Sequence, residues 1–190
     1  MARYVAYSGS RGAFAEQACR TFLPQYVPVP VSQFADVVAS VLSREVQLGM
    51  LPLENSVVGP VPGVADLIKQ GQLNLRSQHK MAIRLHLMAQ PGVTIEEVEA
   101  VHSHPVALGQ CTEHLDRLGL RGVAALNTAS AALRLAGSGD RTSAVVASEA
   151  AASLYGLDIL LRDIHDDPDN HTVFGVVEHC IGLTKRDYQT

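Results

Sequence analysis

The chain has 190 residues, of which 47% are hydrophobic and 18% are charged, with a net charge of −4 at pH 7. This length allows one large domain or two small lobes with a buried core, and the composition excludes a disordered chain. The acidic balance predicts no binding to nucleic acid, and the apolar runs are too short to span a membrane.

Cysteine and histidine usage predicts a reduced protein without a metal site. The three cysteines are odd in number and widely separated: Cys19, Cys111 and Cys180. Their spacing matches no disulfide framework and no zinc motif, and the eight histidines add no metal-ligand pattern. No cleavable secretion signal is recognisable near the N-terminus. We therefore expect a cytoplasmic protein that does not associate with membranes.

Short apolar runs alternate with amphipathic stretches, which predicts an α/β fold of two lobes with a cleft between them. The predicted strands of the first half are 3–7, 26–31 (an edge strand or a connector), 48–53, 73–76 and 83–88. The predicted helices of that half are 13–22, 33–44 and 64–69. After a change of composition at 90–92, the predicted strands are 98–102, 122–126, 142–147, 157–162 and 173–178. The predicted helices there are 103–118, 128–135 and 148–155.

A loop with two glycines, Gly9-Ser10-Arg11-Gly12, follows the first predicted strand and precedes a predicted helix. Loops at this place can bind anions through free backbone N–H groups. The segment lacks the spacing of a dinucleotide-binding motif and the Lys-Ser/Thr pair of a phosphate-binding loop, so a simple tight turn is the alternative. Arg11 nevertheless adds a cation here, which makes it a candidate for binding a substrate carboxylate.

Three polar residues, Glu54, Asn55 and Ser56, follow the predicted strand 48–53. In open α/β sheets, ligands bind at the carboxyl ends of strands, where these side chains are expected. A carboxylate, an amide and a hydroxyl at adjacent positions can together bind a polar substrate. The alternative is that Asn55 and Ser56 only cap the next segment of the chain.

Ser103 is predicted to cap the helix 103–118, with Pro105 in the first turn. Gln110 lies seven residues further on, about two helical turns, so both side chains face the same side. They can line one wall of a cleft, although a cap and a surface glutamine explain the pattern equally well. Near the C-terminus, Thr172 stands where a turn meets a strand, and its hydroxyl could orient or protonate a leaving group.

Together these segments resemble the prephenate dehydratase family, in the family's order, over residues 4–178. The Ser-His-Pro-x-Ala-Leu-x-Gln-Cys motif of the family is intact at residues 103–111. Its Gly-Pro-x-Gly-Thr-Phe is similar to residues 9–14, its Pro-x-Glu-Asn-Ser-x-x-Gly-x-Val to 52–61, and its Asn-x-Thr-Arg-Phe to 170–174. Shorter similarities lie at residues 127–129 and 147–157.

The resemblance implies a two-lobed fold like that of periplasmic binding proteins. Lobe one would hold about residues 1–78 plus 169–190, and lobe two about residues 79–168. The implied reaction is the loss of water and carbon dioxide from prephenate, which gives phenylpyruvate for phenylalanine biosynthesis. Because aromatisation drives this reaction, no cofactor or metal is expected. The resemblance further implies that the protein forms a homodimer. Its expected binding partner is the small-molecule substrate, prephenate.

Site residues follow from the same resemblance, position by position. Thr172 matches the threonine that assists departure of the ring hydroxyl. The residues implied to bind the substrate are Glu54, Asn55, Ser56, Ser103, Gln110 and Phe174. Arg11 is added to this set as the cation of the glycine loop.

The sequence also departs from the family pattern at the position after the catalytic threonine. Val173 stands where the family has arginine, and valine cannot bind a carboxylate of the dianionic substrate. Ala13 and Ser10 also replace family residues in the glycine loop. Val173 and Ala13 favour one alternative, a prephenate decarboxylase that retains the ring hydroxyl, whereas the intact Glu54-Asn55-Ser56 segment and Thr172 argue for the dehydratase. A second alternative is a homologue that binds ligand without catalysis. The chain also ends without the amino-acid-binding ACT domain of many members, so we expect no phenylalanine feedback through such a domain.

Overall fold

The computed structural model describes residues 2–180, which form two β-sheets with helices packed against them. The strands are β1 (Tyr4–Ser8), β2 (Val27–Val31), β3 (Leu48–Asn55), β4 (Gly59–Pro60), β5 (Leu73–Ala82), β6 (His86–Ala89), β7 (Ala100–Ser103), β8 (Arg121–Ala124), β9 (Ser143–Ala147), β10 (Asp158–Leu161) and β11 (His171–His179). The helices are α1 (Phe14–Phe22), α2 (Phe34–Leu42), α3 (Val64–Gln70), α4 (Pro105–Gly109), α5 (Thr112–Arg117), α6 (Thr128–Ser138) and α7 (Glu149–Tyr155). A 3₁₀ turn covers Ile95–Glu97.

The first sheet has the strand order β2-β1-β3-β11-β5, and β4 pairs with the end of β3. Strands β1, β2 and β3 are parallel, whereas β11 is antiparallel to both of its neighbours. The last strand of the described chain is therefore inserted beside β3. This pairing places Thr172 directly opposite Asn55.

The second sheet has the order β10-β6-β9-β7-β8, with β7 parallel to its neighbours β8 and β9. Two segments, 83–85 and 162–170, connect the sheets. They are bonded to each other, because the Ile83 N–H donates to the Asn170 carbonyl and the Ile164 N–H donates to the Leu85 carbonyl, each at 2.9 Å. The predicted two-lobed α/β fold with a cleft is confirmed.

The first sheet extends further along the chain than the boundary expected near residue 78. Strand β5 continues to Ala82 because it pairs with β11 over its whole length, up to the pair formed by Ala82 and His171. Residues 83–85, predicted as part of a strand, instead form one of the connections between the sheets. Strand length here is decided by pairing with a distant segment, which local patterning does not record.

The segment 26–31, left open between an edge strand and a connector, forms the edge strand β2. The Val27 N–H donates to the Arg3 carbonyl, and the Val31 carbonyl accepts from Gly9, so alternate residues of β2 face β1. Pro28 and Pro30 occupy the remaining positions, where the backbone points away from the sheet. A missing N–H is tolerated there, and it also discourages pairing with another chain.

The helix predicted at 103–118 is two helices, α4 and α5, separated at Gln110 and Cys111. The prediction that Ser103 caps this helix was also wrong. Ser103 belongs to β7, where it pairs with Ala124 of β8, and the ring of His104 caps α4 by accepting the Val106 N–H. The break at Gln110 coincides with a bond from outside the helix, since the Asp166 N–H donates to the Gln110 carbonyl at 2.8 Å.

The largest buried apolar cluster runs through both lobes and includes Ile83, Leu85 and Ile164 of the connecting segments. The lobes are therefore joined by packed side chains as well as by the backbone. No helix of residues 2–180 combines the length and the apolar character needed to cross a membrane.

Replacing Gly49 with alanine is expected to lower the free energy of unfolding by about 1–3 kcal/mol, measured by urea denaturation. A Cβ at this position of β3 would lie 2.7 Å from Val37 Cγ1 and 2.9 Å from Val177 Cγ2, inside the packed core. The control is Gly137→Ala in α6, where a Cβ meets no atom within 4 Å and alanine favours the helix. Equal stabilities of the two variants would contradict the packing described here.

Candidate active site

A cavity of about 570 Å³ lies between the two sheets, and both lobes contribute to its wall. The first lobe contributes side chains of β3 and β11, and the second lobe contributes α4 and the start of α6. Ile83 and Leu85 of a connecting segment line it as well. Most of the wall is apolar, and a few neutral polar side chains project into it. This combination is typical of a site for a small organic ligand.

Asn55, at the carboxyl end of β3, has a side-chain orientation that the backbone fixes. Its Oδ1 accepts hydrogen bonds from the N–H groups of Val57 at 3.0 Å and Val58 at 3.2 Å. A backbone N–H can only donate, so the oxygen of this amide must face the turn. The Asn55 NH₂ group consequently points toward β11.

Three buried amides, Asn55, Gln110 and Asn170, form a closed set of hydrogen bonds that we call the amide triangle. Asn55 Nδ2 donates to Asn170 Oδ1 at 3.0 Å, Asn170 Nδ2 donates to Gln110 Oε1 at 3.2 Å, and Gln110 Nε2 donates to Asn55 Oδ1 at 3.1 Å. The fixed orientation of Asn55 therefore determines that of the other two amides. The triangle joins the first lobe, the second lobe and a connecting segment.

The Thr172 hydroxyl lies beside this triangle and lines the cavity. Its Oγ1 is 3.2 Å from Asn55 Nδ2, which can only donate, so the threonine oxygen accepts this bond. Within residues 2–180, the Thr172 hydroxyl makes no second hydrogen bond. Its hydrogen is thus available to an acceptor in the cavity.

The electrostatic character of the cavity comes from backbone dipoles. No Asp, Glu, Lys or Arg side chain of the described residues lines it. The first residues of α1, α2 and α6 do, at Phe14, Phe34 and Thr128. Helix N-termini carry partial positive charge and free N–H groups, so these three ends favour an anionic ligand.

Two titratable groups near the cavity, Cys111 and Glu16, each stay in one protonation state. Burial, together with the nearby Asp166 carboxylate, raises the pKa of the Cys111 thiol to about 12, so this cysteine stays neutral and is a poor nucleophile. Burial acts to raise the pKa of Glu16, but the bond from the Gly12 N–H and the Arg20 guanidinium outweigh it and hold that pKa below its usual value. Glu16 therefore stays ionised and paired.

The structure brings four of the eight predicted site residues to the cavity: Asn55, Gln110, Thr172 and Phe174. The other four lie elsewhere. Ser103 is fully buried and donates to the Val146 carbonyl at 2.6 Å, so its hydroxyl has a structural partner. Ser56 is exposed and its Oγ accepts the His171 N–H. Arg11 lines a neighbouring depression instead of the cavity.

Glu54 and Val173 face away from the cavity. They are cross-strand partners in the pairing of β3 with β11, whereas Thr172 pairs with Asn55. Side chains alternate between the faces of a sheet, so position 173 lies on the face opposite Thr172 and Phe174. We expected the replacement of the family arginine by Val173 to remove a cation from the substrate cleft. That expectation was wrong, because position 173 does not line the cavity.

Two residues that the sequence did not assign to the site belong to it. Asn170 completes the amide triangle, and His104 lines the cavity. Both stand inside the motifs that carried the family resemblance. Their positions in those motifs were the only signal, because neither the partners of an amide nor the direction of a ring follows from spacing along the chain.

Comparison with known proteins places the chain in a family. Residues 5–180 match the family model described as prephenate dehydratase. The chain belongs to the prephenate dehydratase family. The match includes the strands that carry Asn55 and Thr172 and the segment that carries Gln110, so the described site lies within the region that defines the family.

Relatives of the family include plant and bacterial proteins. The chain is 41% identical over 188 residues to arogenate dehydratase/prephenate dehydratase 2 of Arabidopsis thaliana, covering 98% of this chain and 49% of that protein. It thus spans about half the length of the curated relatives it matches. The structure of an Arthrobacter aurescens prephenate dehydratase in complex with L-Phe has a TM-score of 0.86 at 27% identity, over 95% of this chain and 61% of that one. GqqA, described as a novel type of quorum-quenching acylase, has a TM-score of 0.85 at 34% identity, over 93% and 64%.

Ser103→Ala is expected to lower the free energy of unfolding by about 1–3 kcal/mol, because it removes the donor to a buried carbonyl. Ligand affinity in the cavity should stay unchanged, since Ser103 does not line it. Urea denaturation and ligand titration measure the two quantities. Ser43→Ala, at an exposed hydroxyl, serves as the control. Weaker ligand binding with normal stability would restore Ser103 to the binding site.

Proposed function

We propose that this chain catalyses the decarboxylative dehydration of prephenate to phenylpyruvate, as a carbon–oxygen lyase of aromatic amino acid biosynthesis. The observation that carries the proposal is the Thr172 hydroxyl, which accepts from Asn55 and has its hydrogen free toward an otherwise largely apolar cavity. Membership of the prephenate dehydratase family supports the same reaction.

The reaction needs two groups to leave opposite ends of one ring. The ring carboxylate leaves as carbon dioxide, and its electron pair enters the ring. The carbon–oxygen bond at the far end breaks, and the departing hydroxide takes one proton from solvent and becomes water. Thr172 donates a hydrogen bond to the departing oxygen as negative charge develops there. The Asn55 NH₂ group makes the threonine a better donor by bonding to its oxygen.

The apolar wall serves the other leaving group. A carboxylate that loses its water shell in a cavity without cations is less stable than in solution, whereas the carbon dioxide that forms from it is uncharged. The carboxylate charge disperses into the ring in the transition state, so an uncharged wall favours the reaction. Aromatisation provides the driving force, so the proposed mechanism uses only side chains of this chain.

Prephenate is the proposed substrate in preference to arogenate, which some relatives are named for. Arogenate carries an ammonium group where prephenate carries a keto group. No carboxylate side chain of the described residues lines the cavity, and three helix N-termini do. An ammonium group bound there would lack a counter-charge, which costs free energy at a site removed from water.

Steady-state kinetics with both substrates test this proposal. We expect kcat/KM for prephenate to exceed that for arogenate by at least about tenfold, which corresponds to about 1.4 kcal/mol. A higher kcat/KM for arogenate would overturn the substrate assignment. The decarboxylase alternative rests on two departures from the family pattern, Val173, which lies outside the cavity, and Ala13, which lines it, so Ala13 is the observation that still favours this alternative.

A further inference from the structure

His104 is the single titratable side chain among the described residues that line the cavity. It stands at the junction between β7 and α4, in the second lobe, and the cavity wall continues from it to Val106 and Ala107. Every other polar group on this wall is a neutral amide or hydroxyl. His104 is therefore the only side chain there that can carry a positive charge.

The protonation pattern of the ring follows from its contacts. His104 Nδ1 accepts the Val106 N–H at 3.2 Å and thereby caps α4. Because Nδ1 is used as an acceptor, the neutral ring carries its hydrogen on Nε2. Nε2 has no hydrogen-bond partner within residues 2–180 and is free to donate to a ligand in the cavity.

The two carboxylates of prephenate need different surroundings. The ring carboxylate must leave as carbon dioxide, and a strong donor on it would stabilise the ground state more than the transition state. The carboxylate of the pyruvyl side chain keeps its charge throughout and remains in phenylpyruvate. A strong hydrogen-bond donor therefore aids binding without slowing the reaction only if it binds the retained carboxylate.

We propose that His104 binds, through Nε2–H, the carboxylate that substrate and product share. This inference rests on the proposed function and deepens it, since it assigns one end of the ligand to α4. Thr172, on β11 of the other lobe, is left to act on the ring hydroxyl. His104 is then a substrate-binding residue whose contribution is the same before and after the reaction.

His104→Asn tests the proposal, because asparagine is a good helix cap but is too short to extend to the position of Nε2. We expect KM for prephenate and Kd for phenylpyruvate, measured by calorimetry, to rise by similar factors of about 10- to 100-fold. Turnover at saturation should change much less. His104→Gln provides a second variant, and thermal unfolding checks that both variants fold. His179→Asn, at the far end of β11, is the control.

The outcomes separate this inference from the function on which it rests. Weaker binding of prephenate with unchanged binding of phenylpyruvate would overturn it, because His104 would then contact the departing carboxylate. Unchanged binding of both ligands would also overturn it. If wild-type protein binds phenylpyruvate in a way that depends on His104 but does not convert prephenate, the proposed reaction fails and the carboxylate site stands.

Discussion

Thr172→Val is expected to lower kcat/KM for prephenate by about 10²- to 10⁴-fold, which is the range for loss of a group that assists proton transfer. Valine has nearly the shape of threonine and suits a strand, so the change removes the hydroxyl without opening a cavity in β11. The loss should appear in kcat more than in KM, because the hydroxyl acts on charge that develops during the reaction. Steady-state kinetics measure both constants.

Thr172→Ser is the matched control for this prediction. Serine keeps the hydroxyl that accepts from Asn55, so activity should stay within about tenfold of the wild type. Circular dichroism and urea denaturation of both variants show whether the fold is kept. Wild-type turnover by Thr172→Val would exclude the hydroxyl from the mechanism, and equal losses in both variants would point to packing in place of chemistry.

Asn55→Asp replaces only the side-chain NH₂ group with an oxygen, but it is expected to reduce both kcat/KM and the free energy of unfolding. The Asn55 NH₂ group faces three oxygens, on Asn170, His171 and Thr172, at 3.0–3.2 Å. A carboxylate oxygen placed there would meet the carbonyl oxygens of Asn170 and His171 without a hydrogen between them, and it would draw the hydrogen of the Thr172 hydroxyl away from the cavity. We expect the free energy of unfolding to fall by about 3 kcal/mol or more. We also expect kcat/KM to fall by at least about 10²-fold.

The pH dependence of this variant provides a further check. The surrounding oxygens favour the protonated form of the new acid, so its pKa is higher in the folded state than in the unfolded state. The folded state then binds more protons, and stability relative to wild type should recover as the pH is lowered. Asn74→Asp makes the same replacement at an exposed position of β5 and is the control. A variant as stable and active as wild type would contradict the described amide triangle.

Much of the fold follows from the sequence because its strands and helices have clear local signals. The helical stripe of α2 and the apolar run of β3 predicted elements close to those found. Ser103 shows the limit of such signals. The Ser-His-Pro segment satisfies the rules for a helix start, but β7 continues through Ser103 because β8 lies beside it, and His104 becomes the cap.

The candidate site was predictable where one strand and its neighbour place side chains on the same face. Asn55 and Thr172 were expected together and are cross-strand partners. Val173 was misjudged although alternation along a strand already places it on the opposite face from Thr172. The amide triangle was not predictable, since it needs the bond from Asn170 to Gln110 across 60 residues of chain.

The ratio of carbon dioxide to phenylpyruvate released from prephenate by wild-type protein tests the central claim most directly. If Thr172 and its amide partners expel the ring hydroxyl as the carboxylate departs, the two products appear in equal amounts, because neither bond breaks without the other. Carbon dioxide accompanied by a hydroxylated, non-aromatic keto acid would contradict the claim, as would prephenate that stays intact with folded protein.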